Sequence, residues 1–359
     1  MGILVSLPKT VETENNLQLT FSFLPSEWYP QSGVQLTWPH AGTDWAHLLR
    51  EVQECFVNIA REIAERELVL IVAPDIASVK NQLANRVNMD NVRFFSCETN
   101  DTWARDHAAI TLLDIGSPLL LDFCFNGWGM KFAADYDNMI TRKAFHGGCF
   151  GARYKNCLNF VLEGGSIESD GIGTLLVTSE CLLSPNRNDS LNKVEIEDYL
   201  KSTLHVQQVL WLDHGYLSGD DTDSHVDTLA RLCPNNTIAY VQCTDADDEH
   251  YDELHLMEEQ LKTFRTLSGE PFRLLALPMA DKIIDNVERL PATYANFLII
   301  NKAVLYPTYN QPDNDAQAAK VLKEAFPDRE IVGIDCRTLI KQHGSLHCVT
   351  MQYPQNVIK

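Results

Sequence analysis

Short apolar runs alternate with amphipathic stretches along the whole chain, and no Gly-, Ser- or Pro-rich linker interrupts the alternation. The apolar runs have the length of strands, and Gly, Pro, Asn or Asp residues bound them, as is typical of strand ends. They cover residues 68–73, 92–95, 108–113, 119–125, 174–178, 206–212, 237–243, 273–277, 297–305, 331–334 and 347–351. Because strands and helices intermix from end to end, the sequence predicts one α/β domain over residues 1–359. The periodicity indicates no internal repeat.

Apolar residues at helical spacing predict helices between the strands. Two such stripes consist of Leu48, Val52, Cys55, Ile59 and Ile63, and of Leu254, Met257, Leu261 and Phe264. A third helix is predicted to begin near Asp313 or Asp315, whose carboxylate can cap it, and to end before Pro327. The stripes are typical of helix faces that pack on a core, so they carry no functional signal.

The charge balance restricts the class of partner. With 29 basic and 49 acidic side chains, the formal net charge is −20. Such an excess disfavours nucleic acid and anionic membranes and favours the approach of a cation, although acidity also serves solubility alone. The sequence has no apolar run of about 18 residues that could span a membrane. Residues 1–9 lack the basic and apolar regions of a secretory signal.

The ten cysteines are scattered and form no CxxC pair. This spacing excludes a zinc ribbon and argues against a small disulfide scaffold. Most of the thiols are expected to be reduced and buried, which favours a cytoplasmic location. The chain also has no GxGxxG after a strand and no GxxxxGK[ST], so nucleotide-binding folds lack their phosphate cradle.

Four separated motifs supply a thiol, an imidazole and several carboxylates. They are Trp103-Ala104-Arg105-Asp106, Glu163-Gly164-Gly165, His225-Val226-Asp227, and Cys348 within residues 344–350. These groups suit attack on a guanidinium, a planar cation with five N–H donors that carboxylates accept. A thiolate can attack its central carbon, and an imidazole can protonate the departing ammonia. The combination predicts hydrolysis of a guanidinium group.

Local geometry supports this prediction only in part. If residues 225–227 are extended, the imidazole and the carboxylate two residues apart project to one face. Asp106 lies where a loop enters a strand, and the two glycines after Glu163 permit a close backbone approach. Taken singly, each motif also has an ordinary explanation: a surface histidine, a turn cap, a tight turn and a buried structural thiol.

Taken together, the motifs resemble the agmatine deiminase family, which also includes bacterial peptidylarginine deiminase. The resemblance runs from about Leu24 to Pro354. The matching segments are residues 25–30, Trp38-Pro39-His40, residues 103–106, 163–166, 181–188 and 223–227, and His347-Cys348.

The resemblance implies a pentein fold, a five-bladed α/β propeller of pseudo-fivefold ββαβ units. It implies that Cys348 is the nucleophile and His225 the acid and base. Asp106 and Asp227 would bind the guanidinium, and Glu163 would orient or polarise His225. The resemblance implies neither a metal nor an organic cofactor.

Five aromatic residues are candidates for packing against the alkyl chain of a substrate, with core packing as the alternative for most of them: Trp28, Trp38, Trp103, Trp128 and Tyr309. The sequence departs from the family pattern at Ser224, where glycine is expected, and in residues 343–346, where more glycines are expected. Both departures fall in loops that would surround the substrate, so they bear on its identity more than on the reaction.

The leading hypothesis is therefore conversion of agmatine to N-carbamoylputrescine and ammonia by a linear-amidine hydrolase. The missing secretory signal favours it over a secreted peptidylarginine deiminase, while deimination of another free guanidine stays open. A different class is a Mg²⁺- or Ca²⁺-dependent hydrolase using Asp220, Asp221, Asp223, His225 and Asp227. A non-catalytic pentein-like binding protein and assembly into a homo-oligomer also stay open.

Overall fold

The computed structural model describes residues 22–359. Residues 1–9, on which the prediction about a secretory signal rests, lie outside the described residues. The strands are β1 Gln31–Thr37, β2 Leu68–Ala73, β3 Val92–Ser96, β4 Ile110–Leu112, β5 Leu119–Cys124, β6 Arg153–Val161, β7 Ile167–Ser169, β8 Thr174–Thr178, β9 Gln208–Leu212, β10 Ala230–Cys233, β11 Thr237–Gln242, β12 Arg273–Pro278, β13 Ile284–Asp285, β14 Glu288–Arg289, β15 Leu298–Ile300, β16 Ala303–Thr308, β17 Glu330–Asp335 and β18 Thr350–Pro354.

The α-helices are α1 Leu49–Ala64, α2 Ile76–Leu83, α3 Ala104–His107, α4 Gly127–Met130, α5 Ile140–His146, α6 Ser179–Leu182, α7 Lys193–Leu204, α8 Tyr251–Thr263 and α9 Pro312–Ala325. Short 3₁₀ segments include Gly164–Ser166 and Val226–Thr228. No helix within residues 22–359 is long and apolar enough to cross a membrane.

Five sheets of the described chain share one strand pattern, in which an antiparallel pair is followed by a parallel third strand. Four of them are β4-β5-β6, β7-β8-β9, β10-β11-β12 and β15-β16-β17. In the fifth, the last strand β18 pairs antiparallel with β1, which continues parallel to β2 and β3. Each parallel pair is joined by a helical crossover, because a short hairpin cannot join parallel strands. The short hairpin β13-β14 is separate.

This repeated pattern is not visible in the periodicity of the sequence, whereas the family resemblance implies repeated units. The mixed α/β class is confirmed, and each apolar run overlaps an observed strand. The run over residues 297–305 is, however, a hairpin of β15 and β16 rather than one strand. Its turn contains Lys302 at φ +69, a left-handed conformation that the apolar pattern does not reveal.

The two amphipathic stripes lie in α1 and α8, as predicted, except that Leu48 and Phe264 fall just outside the helices and are only partly buried. The third helix begins at Pro312. The expected cap is wrong in detail, since the Asp315 carboxylate accepts the backbone N–H groups of Tyr309 and Gln311 at 3.1 and 3.0 Å. Asp315 therefore fixes the loop that leads into the helix.

Candidate functional site

Each predicted site segment lies just before the first strand of a different sheet. Asp106 precedes β4, Glu163 precedes β7, and His225 and Asp227 precede β10. Cys348 precedes β18. The corresponding position before β15 is occupied by Asn296. Five equivalent positions, each just before the first strand of a sheet, thus supply the side chains of one candidate site.

Gly165 marks the place where three of these side chains meet. Its backbone N–H donates to Asp106 Oδ1 at 3.0 Å. A Cβ atom on this residue would lie 2.6 Å from His225 Nδ1, 2.9 Å from Asp106 Oδ1 and 3.1 Å from Asp227 Oδ2. His225 Nδ1 and Asp106 Oδ1 are 3.7 Å apart. The missing side chain therefore leaves room for an imidazole and two carboxylates to approach one another.

Residues 225–227 do not meet the condition of an extended segment. His225 precedes a 3₁₀ turn over Val226–Thr228, and the backbone N–H of Thr228 donates to the His225 carbonyl at 3.2 Å. The imidazole and the Asp227 carboxylate still face one point, because the tight turn brings both side chains to Gly165.

Cys348 lies in the turn before β18 rather than within the strand-like run of residues 347–351. Its local hydrogen bonds explain the difference. The Asn296 carboxamide oxygen accepts the backbone N–H groups of His347 and Cys348 at 2.9 and 3.3 Å, and the Cys348 Sγ–H donates to it at 3.4 Å. These bonds keep the backbone of residues 347 and 348 from pairing as part of strand β18. They also hold Cys348, a residue that is 5% exposed, at the end of a cavity.

Glu163 makes a different contact from the one predicted. Both of its oxygens accept from Arg187 Nε, at 2.9 and 3.1 Å, while Arg187 Nη1 donates to Asp223 Oδ2 at 2.6 Å. A carboxylate oxygen of Glu163 still lies within 4.8 Å of a ring nitrogen of His225. Glu163 therefore acts on His225 through its field and is itself held in place by Arg187.

His347 fixes the position of the Asp227 carboxylate through a hydrogen bond. His347 Nδ1 lies 2.6 Å from Asp227 Oδ2, and His347 Nε2 lies 2.8 Å from Glu27 Oε1 and 3.1 Å from Arg231 Nη2. Burial and the guanidinium groups of Arg105 and Arg231 lower the pKa of His347. Burial would raise the pKa of Asp227, but the hydrogen bond from His347 and the nearby positive groups lower it. Asp227 is therefore a carboxylate at neutral pH.

Neighbouring carboxylates control the charge of His225. Burial alone would lower the pKa of this imidazole, but Asp106, Cys181 and Glu163 raise it to about 10. The ring is therefore an imidazolium at neutral pH, with two N–H donors in a site that is closed to solvent.

The same charges act on the acid and the thiol that face the cavity. Burial raises the pKa of Asp106 to about 6, where His225 opposes the shift and Asp227 adds to it. Burial, Asp227 and Asp106 raise the pKa of Cys348 well above its ordinary range. Without a cation between them, the sulfur is thus a thiol. A cation placed beside the two acids would favour the thiolate.

A cavity of about 560 Å³ opens from Cys348 and Asp106 to the surface. Its wall includes the indole rings of Trp103 and Trp128, and Trp128 Nε1 donates to Asp106 Oδ2 at 3.0 Å. Further acids on the wall are Asp44, Asp101, Asp137 and Asp221, accompanied by Lys131. An acidic, partly aromatic cavity suits a cation with an alkyl chain.

The other three aromatic candidates do not line this cavity. Trp38 packs edge-on against Phe56 in the core, and the Tyr309 hydroxyl donates to the Thr293 carbonyl at 2.9 Å. Trp28 packs at the margin of the same core. Of the five candidates, only Trp103 and Trp128 can touch a molecule in the cavity.

The predicted alternative metal set is not brought together. The Asp220 carboxylate accepts the backbone N–H groups of Thr222 and Ser224 at 3.2 and 2.8 Å, and Asp223 is paired with Arg187 and Lys131. Within residues 22–359, two groups have the spacing of metal ligands, namely Glu163, Cys181 and His225, and Glu27, Glu168 and His347. Neither contains the acids of residues 220–223.

Comparison with known proteins shows the family of the chain. The model of the Porphyromonas-type peptidyl-arginine deiminase family matches residues 23–354, in accord with the predicted resemblance. The agmatine deiminase of Stutzerimonas stutzeri is 31% identical over 363 residues, which cover 94% of this chain and 96% of that protein.

Solved structures are also similar. A Porphyromonas gingivalis protein provisionally described as an arginine deiminase is 54% identical, with a TM-score of 0.90 over 94% of this chain and 100% of that one. A substrate-bound agmatine deiminase of C. jejuni is 39% identical, with a TM-score of 0.88 over 95% and 99% of the two chains. The chain therefore belongs to the Porphyromonas-type peptidyl-arginine deiminase family, and agmatine deiminases are among its relatives.

Proposed function

We propose that this protein hydrolyses agmatine to N-carbamoylputrescine and ammonia through a covalent intermediate on Cys348. The observation that carries the proposal is that the His225, Asp106 and Asp227 side chains meet at Gly165, while Asp106 and Cys348 line one acidic cavity. Relatives named agmatine deiminase support the choice of substrate.

Binding would place the guanidinium against Asp106 and Asp227. Its N–H groups donate to the two carboxylates, which are the geometrically suited acceptors for a planar cation. The central carbon then faces Cys348 Sγ, and the positive charge lowers the pKa of the thiol. The substrate thus helps to generate the thiolate that attacks it.

His225 would transfer the protons of both half-reactions. The thiolate forms a C–S bond to the guanidinium carbon, and the imidazolium gives its proton to the departing nitrogen, so that ammonia leaves. The neutral imidazole next takes a proton from water, whose oxygen attacks the amidino-thioether. Breaking of the C–S bond releases the ureido product and restores the thiolate.

The cavity wall bears on the tail of the substrate. Asp44 and Asp221 on the wall favour the terminal ammonium of agmatine and oppose the α-carboxylate of free arginine. Burial raises the pKa of Asp101 and of Asp137 to about 7, so these two acids add only part of a negative charge at neutral pH. A peptidyl arginine, which has no free carboxylate at an internal position, is the second candidate. The family model, which is named for a peptidyl-arginine deiminase, favours this alternative.

We also propose that the five sheets form one five-bladed pentein propeller and that residues 1–359 are a single catalytic domain. The pairing of β18 with β1 supports this arrangement, because the last strand completes the first sheet. Cytoplasmic location and homo-oligomer formation stay predictions from the sequence.

Ammonia release from agmatine, free arginine and peptides with an internal or a C-terminal arginine tests the function. We expect turnover of agmatine, and we expect Cys348→Ser to reduce kcat by about 10⁴-fold or more, because serine lacks a comparably acidic nucleophile. Cys157→Ser, which changes a buried thiol in β6, should retain activity. If the wild-type enzyme does not turn over agmatine but releases ammonia from a peptide, peptidyl arginine becomes the leading candidate substrate.

Paired electrophiles test substrate-assisted formation of the thiolate. We expect 2-chloroacetamidine, a cation, to alkylate Cys348 much faster at pH 7 than neutral 2-chloroacetamide of similar shape. Asp106→Asn should shrink that ratio, because it removes one of the two carboxylates that attract the cation. Rates are measured by intact-mass spectrometry, and equal wild-type rates for the two reagents would contradict this part of the mechanism.

A further inference from the structure

A second buried thiol lies beside the imidazole of the proposed site. Cys181 is in the short helix α6, directly after β8, and is fully buried. A ring nitrogen of His225, the Cys181 sulfur and a Glu163 oxygen all lie within 4.8 Å of one another. The mechanism above gives this thiol no role.

His225 has few other contacts that could fix its ring. Neither ring nitrogen has a hydrogen-bond partner of ordinary length among the described residues, although the side chain is only 1% exposed. On one side, Asp106 Oδ1 is 3.7 Å from Nδ1. Glu163 is already engaged through both oxygens by Arg187. The Cys181 sulfur is the remaining polar neighbour of this three-residue group.

We propose that Cys181 is a positioning residue, whose sulfur contacts the imidazole of His225 and holds the ring toward the reacting groups. The inference rests on the proposed role of His225 as acid and base, and it adds a residue that acts through His225 rather than on the substrate.

A neutral thiol suits this task. Burial raises the pKa of Cys181, so the group stays protonated at neutral pH. A thiol is a weak donor and a weak acceptor, so it can orient an imidazolium without taking the proton that His225 must deliver. A second free carboxylate at this point would compete for that proton. As a weak acceptor for an N–H of the imidazolium, the sulfur favours the charged ring and so helps to raise the pKa of His225.

The test is the pH profile of Cys181→Ala. We expect kcat to fall by about tenfold, less than the roughly 10²–10⁴-fold contribution of an acid–base group itself, with KM nearly unchanged. The alkaline limb of the kcat profile should move to lower pH, because the variant removes a group that raises the pKa of His225. Cys181→Ser, which restores a polar atom, should recover most of both effects. Cys157→Ala, at a buried thiol outside the site, should keep the wild-type profile.

Folding of each variant is checked by circular dichroism and thermal unfolding. Where the alanine variant does not fold, Cys181→Val fills the space without a polar atom and must show the same shift. A folded Ala or Val variant with the wild-type pH profile overturns the proposal. If the wild type does not turn over agmatine, the proposed function fails separately. The pH dependence of Cys348 alkylation by 2-chloroacetamidine then makes the same comparison without turnover.

Discussion

Asp106 shows how a single residue is adapted to a charged substrate at a cost in stability. Its carboxyl group is 3% exposed, and burial together with the nearby Asp227 raises its pKa to about 6 in spite of His225. At neutral pH the group is nevertheless ionised, and within residues 22–359 only the Trp128 indole and the Gly165 backbone donate to it at ordinary distances. A guanidinium would supply the missing donors.

We therefore expect Asp106→Asn to stabilise the protein at pH 7 by about 1–3 kcal/mol while it abolishes deimination. The folded pKa lies above the unfolded value. The favourable contribution of the protonated group is thus complete below about pH 4 and is lost as the pH rises through about 6. Urea unfolding at pH 7 and pH 4 measures the difference, which should be large at pH 7 and small at pH 4. An asparagine variant less stable than wild type at pH 7 would contradict the argument.

At the scale of elements, the short turn Gly164–Ser166 between β6 and β7 forms one wall of the site. Gly165 does not have a positive φ, so an alanine at this position would not strain the backbone. Its effect would come from steric contacts of the new Cβ atom. Its Cβ would lie within 3.1 Å of His225, Asp106 and Asp227 side-chain atoms. We expect Gly165→Ala to reduce kcat by about 10²-fold or more, because misplacement of reacting groups by about 1 Å has effects of this size.

The matched control for this change is Gly151→Ala, where a new Cβ approaches only the Asn356 carbonyl oxygen at 3.1 Å and the Lys359 side chain. This variant should keep wild-type kcat. Steady-state ammonia release measures both variants, and circular dichroism confirms that both fold. Full activity in a folded Gly165→Ala protein would mean that the three side chains do not act at this point.

Strands were predicted correctly from the sequence where they consist of buried apolar residues. Prediction failed for elements that carry polar residues or depend on specific hydrogen bonds. Strands β2 and β8 are continuously apolar and were predicted with their observed bounds. Strands β1 and β6 carry polar residues and were missed. The turn at Val226–Thr228 was missed because its tight hydrogen bonds leave no periodic trace.

The site shows the same division. The family resemblance predicted Cys348 as the nucleophile and its acidic partners, since these residues occur in recognisable short motifs. Asn296 was missed because a lone asparagine before an apolar strand is ordinary in sequence. Its importance comes from three contacts to residues 347 and 348, about fifty positions away, and only the fold brings these residues together.

At the scale of the whole molecule, repetition explains how distant motifs reach one site. Each of five sheets begins just after a segment that supplies a site residue, so the same local arrangement recurs with different chemistry. The periodicity of the sequence does not show this repeat, which only the family resemblance implies, because many apolar residues fit the same strand position. The feature that the five sheets share is the order of their strands, and short apolar runs in the sequence do not show this order.

The charge of the whole chain leads to the last prediction. With a net charge of −20 and acids along the cavity wall, the protein should attract a guanidinium over a distance. Raising ionic strength from about 0.01 M to about 0.15 M shortens the Debye length from roughly 30 Å to roughly 8 Å. We therefore expect kcat/KM for agmatine to fall several-fold over this range, while kcat at saturation changes little.

Alkylation of Cys348 provides the control for this prediction. Alkylation by 2-chloroacetamidine should slow in the same way and alkylation by neutral 2-chloroacetamide should not, because the negative field of the protein attracts only the cation. If both reagents respond equally to salt, the effect lies in the protein's conformation rather than in attraction of the substrate.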